Sequence, residues 1–217
     1  MTRKCSVATC GSAAVGFSRL CSKHKARKRR HGEPDQRTIT KGDLAPHLEG
    51  LLSRIERNPS LNVWTICDQR WKWIVEHAKA ELSGKIHVRH ERQAAKEVLR
   101  LASAVPARSI AVTSIAMYLL QYAQPHLFRS ERAFRAQLVR RVRSLHVGSF
   151  QTSTGASDGR NRRVMRELPP MATGVLANWL VELFGPAGVK IARLIQQERE
   201  EEENAELAYR AALRDVA

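Results

Sequence analysis

Cysteine, aspartate and long apolar runs are all scarce in this sequence. Four cysteines in 217 residues are too few for the disulfide framework of a small extracellular domain. No stretch reaches the roughly 18 to 20 uninterrupted apolar residues of a spanning helix. The start, Met1-Thr-Arg-Lys-Cys-Ser, has no apolar segment behind its basic residues to act as a secretory signal. These absences point to a reducing, cytoplasmic setting without a membrane. Asp68 and Asp158 are the only aspartates between residues 44 and 214, so paired carboxylates for acid–base work are lacking. There is no Gly-x-x-x-x-Gly-Lys-Ser/Thr phosphate loop and no Gly-x-Ser-x-Gly elbow. The expectation is a protein that is not an enzyme.

Positive charge is what the sequence has in excess. Lys and Arg number 37 against 21 acids, a formal +16, which suits a polyanionic partner. That charge is placed in two blocks. Residues 1–36 carry nine Lys/Arg and two acids, and residues 126–166 carry ten Arg and two acids. The remaining 140 residues hold 18 basic and 17 acidic groups, an ordinary mixture. The second block contains no lysine; arginine's planar fork suits phosphate oxygens and guanine edges. Near the C-terminus the sign reverses, in an acidic run from Glu198 to Glu206 broken by Arg199, Asn204 and Ala205. That run reads as a solvated helix face, with pairing to a basic block as the alternative.

Beyond residue 42 the apolar spacing is helical. Asp43 is the expected cap of a helix ending at Asn58-Pro59, with Leu44, Leu48, Leu51, Leu52 and Ile55 on one face. Ser60 or Asn62 starts another, bearing Trp64, Cys67, Trp71, Ile74 and Ala78, up to Ser83-Gly84. Lone Cys67 reads as a buried small hydrophobe. A third helix spans about 85–104, with Ala94, Val98 and Leu101 inward. Residues 108–123 are apolar on most sides and should form the most buried helix. Ser130 starts the Arg-rich helix, with Phe134, Leu138, Val142 and Leu145 facing in. Residues 148–166, rich in Ser, Thr, Gly and then Arg, read as a flexible basic loop. Helices at about 171–184 and 186–215 finish the chain, and no strand is expected after residue 40. The fold class is thus mainly α: a helical body of about six helices behind a small N-terminal ββα-like zinc module. The organisation is 1–36 as the basic zinc module, 37–42 as a linker, and 43–217 as the helical domain with its long charged C-terminal helix.

Cys5-x4-Cys10-x10-Cys21-x2-His24 supplies four zinc-type ligands within twenty residues. The insert between Cys10 and Cys21 has room for a short hairpin, with Gly11 and Gly16 permitting turns. Cys21 and His24, three apart, share one face of a helical first turn. A segment this small has no core of its own, so binding one Zn2+ and folding would be a single event. His31 is an alternative fourth ligand.

The run Leu20-Cys-Ser-Lys-His24, followed by Arg29-Arg-His-Gly-Glu-Pro34, resembles a short zinc module of phage and mobile-element proteins, some HNH homing endonucleases among them. The likeness covers residues 4–36, about a sixth of the chain. It implies DNA binding and makes Cys5, Cys10, Cys21 and His24 the zinc ligands. Beside that module, Lys23, Lys25, Arg27, Lys28, Arg29 and Arg30 become candidate duplex contacts. Arg132, Arg135, Arg140, Arg141, Arg143, Arg160, Arg162, Arg163 and Arg166 form the second candidate set.

The nuclease motifs themselves are missing. His87 and His90 are the only close His pair, and no HNH metal set follows them. His126-Leu-Phe-Arg129 has the spacing of the tyrosine-recombinase box, yet no tyrosine lies between residues 123 and 208. The functional expectation is a non-enzymatic, zinc-containing protein that binds double-stranded DNA. Its setting would be bacterial or phage mobile-element biology, as an accessory or regulatory factor in recombination, transposition or transcription control. It would be nucleoid-associated and would partner a recombinase or similar protein. The alternatives are a divergent nuclease or strand-transfer enzyme, and an RNA-binding protein. Only Phe128, Phe134 and Phe150 in the Arg block could offer bases a stacking platform.

Overall fold

This computed structural model describes residues 3–58, 62–84, 88–154 and 161–216; their elements are seven α-helices, two 3-10 turns and one hairpin. Helix α1 (Ser22–His31) belongs to the N-terminal module. Helices α2 (Lys41–Arg57), α3 (Asn62–Ser83), α4 (Arg89–Ala102), α5 (Ala107–Ala123), α6 (Glu131–Arg143) and α7 (Pro170–Val216) build the body. Every residue of α5 from Ile110 to Leu120 is buried, because the helix is apolar all round and α2, α3, α6 and α7 pack about it. Trp64, Cys67, Trp71, Ile74 and Ala78 of α3 are buried as their spacing indicates. Burial also raises the Cys67 thiol pKa, first by desolvation.

Local chemistry moves some boundaries. The first body helix begins two residues before Asp43, because Thr40 takes the cap position and Asp43 the third helical position. The Asp43 backbone NH donates to Thr40 Oγ1 at 3.2 Å, and the Thr40 NH donates to Asp43 Oδ2 at 2.6 Å. Arg37 forks onto the same carboxylate at 3.0 Å through each nitrogen. This hydrogen bonding to Arg37, aided by Thr40, holds the Asp43 pKa down to about 2. Ser130 caps α6, its Oγ accepting from the Ala133 NH at 3.1 Å. Ser60, Pro59 and the start of the expected 85–104 helix lie outside the described residues; α4 begins at Arg89.

Two expectations are overturned. Residues 150–165 include a β-hairpin rather than only a basic loop: β1 (Phe150–Thr154) pairs antiparallel with β2 (Asn161–Met165), from Phe150 opposite Met165 to Thr154 opposite Asn161. Alternation could not announce it, because both described faces are largely solvated and no apolar side has to be buried. The last two expected helices are one, α7, a 47-residue helix running through Pro186. Pro186 withholds one backbone donor, but α7 stays packed against α5 on both sides of it. A Cβ at Gly185 would lie 2.9 Å from Tyr118 Oη, and one at Gly188 would lie 2.6 Å from Tyr118 Cδ2. By length and hydropathy α7 meets the minimum for a spanning helix, yet Leu176, Ala177, Leu180, Leu183, Phe184 and Ala192 are buried within the protein. Its distal part is different: residues 197–209 are exposed, with Glu198 paired to Arg54 of α2.

The segment between α1 and α2 is packed rather than loose. Gln36 and Ile39 are fully buried. Gln36 Nε2 donates to the Leu127 carbonyl at 3.0 Å, and its Oε1 accepts from the Arg129 NH at 3.0 Å. Gln137 of α6 accepts from the Ile39 NH at 3.1 Å. Each glutamine satisfies backbone groups that would otherwise be buried unpaired.

Candidate metal centre and basic surface

Cys5, Cys10, Cys21 and His24 converge, with one ligand atom from each lying within 4.8 Å of all the others. Backbone bonds bring them there. The Cys5 NH donates to the Ser12 carbonyl at 2.9 Å, the Ser6 NH to Arg19 at 2.8 Å, and the Cys10 NH to Val7 at 3.1 Å. The hairpin expected between Cys10 and Cys21 forms no strands: the insert closes through the Val15 NH donating to the Leu20 carbonyl at 3.1 Å around Gly16, whose φ is a positive 58°, and the bridge in the module pairs Lys4 with Ala13 instead. Cys21 stands immediately before α1 and His24 lies in its first turn, so both point to one side.

The distances suit a tetrahedral ion. His24 Nδ1 is 3.4 Å from both Cys5 Sγ and Cys21 Sγ, and Cys10 Sγ is 3.9 Å from Cys21 Sγ. Zinc bonds of about 2.3 Å to sulfur and about 2.0 Å to nitrogen put tetrahedral ligand atoms roughly 3.5 to 3.8 Å apart. The same sulfur separation is far beyond a disulfide bond, and all the cysteines are free. The thiols respond to one another. Burial raises the Cys5 pKa, but hydrogen bonds from the Cys21 and Val7 backbone, then from His24 and Cys10, bring it down to about 6. For Cys21 the His24 backbone lowers the pKa, yet burial and the neighbouring Cys5 and Cys10 raise it overall. Crowded thiols that cannot all ionise alone are stabilised as thiolates by a cation. An ion held by all four side chains would have its tetrahedral positions filled, as in structural zinc sites.

His31 is not a fourth ligand. It is buried at the end of α1, with Nδ1 3.0 Å from Gln137 Nε2. Burial, then the charges of Arg140, Arg27 and Arg30, lower its pKa to about 4. The next residue, Gly32, has φ +89°, and a Cβ there would lie 2.7 Å from the Arg132 carbonyl of α6. Only glycine allows the module to approach α6 this closely. Further ties are Ser130 Oγ donating to Glu33 at 2.9 Å and Arg129 pairing with Asp35 at 3.1 Å.

This docking brings the two basic blocks together. Lys28 and Arg29 of α1 and Arg132 and Arg135 of α6 line one cleft of about 330 Å³. Lys23, Lys25, Arg29 and Arg30 are exposed on α1, as is Arg132 on α6. Arg29 and Arg30 are nevertheless paired with Glu167, and further members of the sets are engaged within the protein. Arg27 donates to the Gln36 carbonyl at 2.9 Å. Arg135 contacts Glu131 and Asn178, each at 2.8 Å. Arg140 and Arg141 are partly buried, and in both desolvation lowers the pKa. Arg143 is buried: its Nε donates to Glu97 Oε1 at 2.5 Å, and Arg100 donates to the same oxygen at 2.6 Å. This is a structural ion cluster, and it removes Arg143 from the accessible surface. Arg162, Arg163 and Arg166 are exposed beside the hairpin, Arg163 lying 4.5 Å over the Phe150 ring. Arg160 and His87 lie outside the described residues, and His126 is exposed on the turn Pro125–Leu127.

Sequence reasoning did not single out Gln36, Gln137, Glu97 or Glu167. The first two bolt the module to the body, Glu97 neutralises Arg143, and Glu167 binds Arg29 and Arg30 at 2.5 Å each. Spacing along the chain could not have revealed these roles, since the partners concerned lie 46 to 138 residues away. No protein-family model, no curated protein and no solved structure matches this chain.

Proposed function

We propose that this protein is a non-enzymatic, zinc-containing binder of double-stranded DNA. One observation carries the proposal: α1 and α6, from separate basic blocks, meet at a shared cleft with Lys28, Arg29, Arg132 and Arg135 along it. Two blocks far apart in the sequence thereby contribute to one composite surface. Zinc on Cys5, Cys10, Cys21 and His24 would set the direction of α1, and the Gly32 contact would hold it against α6. Arginine and lysine on phosphates release counterions, so affinity would come largely from the backbone. The likeness of residues 4–36 to mobile-element modules supports an accessory or regulatory role in recombination, transposition or transcription control. Such a role implies a cytoplasmic, nucleoid-associated setting and a recombinase or related protein as partner.

The test is duplex titration by fluorescence anisotropy at several salt concentrations with zinc loaded. A protein contacting about six phosphates loses roughly a thousandfold in affinity between 50 and 200 mM salt. No binding, or binding insensitive to salt, overturns the proposal. Metal analysis of the same preparation should give one zinc per chain, lost in Cys21→Ser together with the duplex affinity that depends on α1.

A further inference from the structure

Glu167 lies between β2 and α7 and is held by two adjacent arginines of α1. Arg29 Nη2 donates to its Oε2 and Arg30 Nε to its Oε1, both at 2.5 Å. A third guanidinium stands beside them: Arg140 of α6 lines the same small cavity, with Leu168 and Thr173 at the start of α7. The Arg140 Nε is buried and has no hydrogen-bond partner among the described residues. Arg143, also on this cavity, is already neutralised by Glu97. One carboxylate therefore serves three cations, and a buried donor is left unused. Burial and then the neighbouring Arg141, Arg143 and Arg30 lower the Arg140 pKa to about 10, the mark of a cation short of counter-charge.

Two guanidinium groups, one on each oxygen of a single anion, are also an arrangement by which arginine holds phosphate. The first turn of α7 adds the positive end of a long helix. The space left is about 20 Å³, room for about one water molecule and too little for a phosphate beside the Glu167 carboxylate. An external anion can enter only when the Glu167 side chain leaves, and that side chain is 37% exposed on an irregular segment.

We propose that Arg29, Arg30 and Arg140 form a phosphate-binding site in which Glu167 is a built-in competitor, displaced by a backbone phosphate of bound DNA. The identity of the phosphate as DNA rests on the function proposed above; the anion site does not. Because α1 supplies two of the three arginines, the site is complete only when the zinc module is docked. Glu167 thus sets a threshold: weak or isolated anions leave it in place, and a polyanion held by the rest of the surface removes it.

Two titrations of the full-length, zinc-loaded protein test this. Inorganic phosphate at fixed ionic strength, followed by calorimetry, reads the site alone. A 20-base-pair duplex, followed by anisotropy over a salt series, reads the source of the phosphate. Glu167→Ala should bind phosphate at least tenfold more tightly than the wild type, and adding Arg140→Met should abolish the gain. With duplex, Glu167→Ala should bind more tightly and steepen the salt slope by about 0.9, one further phosphate. The charge-matched control Glu76→Gln on α3 should do neither. Glu167→Gln, which keeps the size of the side chain but loses its charge and one of the two acceptor oxygens, gives the same direction of change should Glu167→Ala loosen the module. Equal phosphate affinity in wild type, Glu167→Ala and Glu167→Gln overturns the site, as does a gain that survives Arg140→Met. A phosphate gain without a duplex gain, in a protein that binds duplex, overturns DNA as the source. Failure of the wild type to bind duplex sinks the proposed function, and the phosphate titration still decides the site.

Discussion

Glu97→Ala should be among the most damaging single substitutions in this protein. Glu97 Oε1 accepts from Arg143 Nε at 2.5 Å and from Arg100 Nη2 at 2.6 Å, joining α4 to α6. The Glu97 and Arg143 side chains are only 7% and 5% exposed, so the alanine variant leaves a guanidinium in the interior without an acid. Breaking a buried pair in this way costs about 3–5 kcal/mol. The Arg100 bond, 29% exposed on the arginine side, adds at most about 1 kcal/mol. In a chain of this size one kcal/mol moves the melting temperature by about 2–4 °C, so the fall should be roughly 6–24 °C. Arg143→Met should cost less, because Glu97 keeps Arg100 as a partner. Glu97→Leu combined with Arg143→Met should recover most of the loss, since neither charge is then stranded. Urea unfolding followed by circular dichroism, at saturating zinc, measures all four proteins. A loss below about 1 kcal/mol for Glu97→Ala, or a double variant as unstable as the sum of the singles, refutes the reasoning.

Arg143 and Arg132 should behave oppositely in DNA binding. Arg132→Met, on the exposed side of α6, should lower the salt slope by about 0.9 with little loss of stability, and Arg143→Met should destabilise with the slope unchanged. Gly32→Ala forces an L side chain to φ +89° and sets its methyl 2.7 Å from the Arg132 carbonyl. The backbone strain alone costs about 1–2 kcal/mol, and amide exchange at Gln36 and Ile39 should speed up as the module loosens; unchanged exchange contradicts the docking geometry. His31 makes stability depend on pH, because its pKa is about 4 when folded against 6.5 when unfolded. The unfolded chain binds more protons between those values, so this contribution is complete above pH 6.5 and is lost as pH falls toward 4. The slope reaches about 1.4 kcal/mol per pH unit. The difference in slope between wild type and His31→Gln isolates it from acid release of the metal, and identical pH profiles count against it.

Much of the helical body could be read from apolar spacing, because burying one stripe of a helix imposes a period of 3.6 on the sequence. Trp64, Cys67, Trp71, Ile74 and Ala78 are buried together for that reason, and the mostly apolar stretch around Ile115 lies at the centre. The Cys/His cluster was legible because its ligands are close in the chain and metal chemistry restricts which residues serve. The hairpin was not legible, since its strands bury no face. The unbroken course of α7 was not legible either, because packing on α5 outweighs the backbone bond lost at Pro186.

The sequence by itself determined the helical class, the Cys/His cluster that could hold a metal and the division of excess charge into two blocks, all properties of near neighbours along the chain. Only the tertiary structure decided what each arginine meets. Arg143 finds Glu97 from 46 residues away, and Arg29 finds Glu167 from 138 residues away. Charge interactions act through space and depend on burial. The same residue type is therefore a structural strut at Arg143, an anion ligand in waiting at Arg140 and an exposed cation at Arg132, a distinction that needs the packing of α1 on α6.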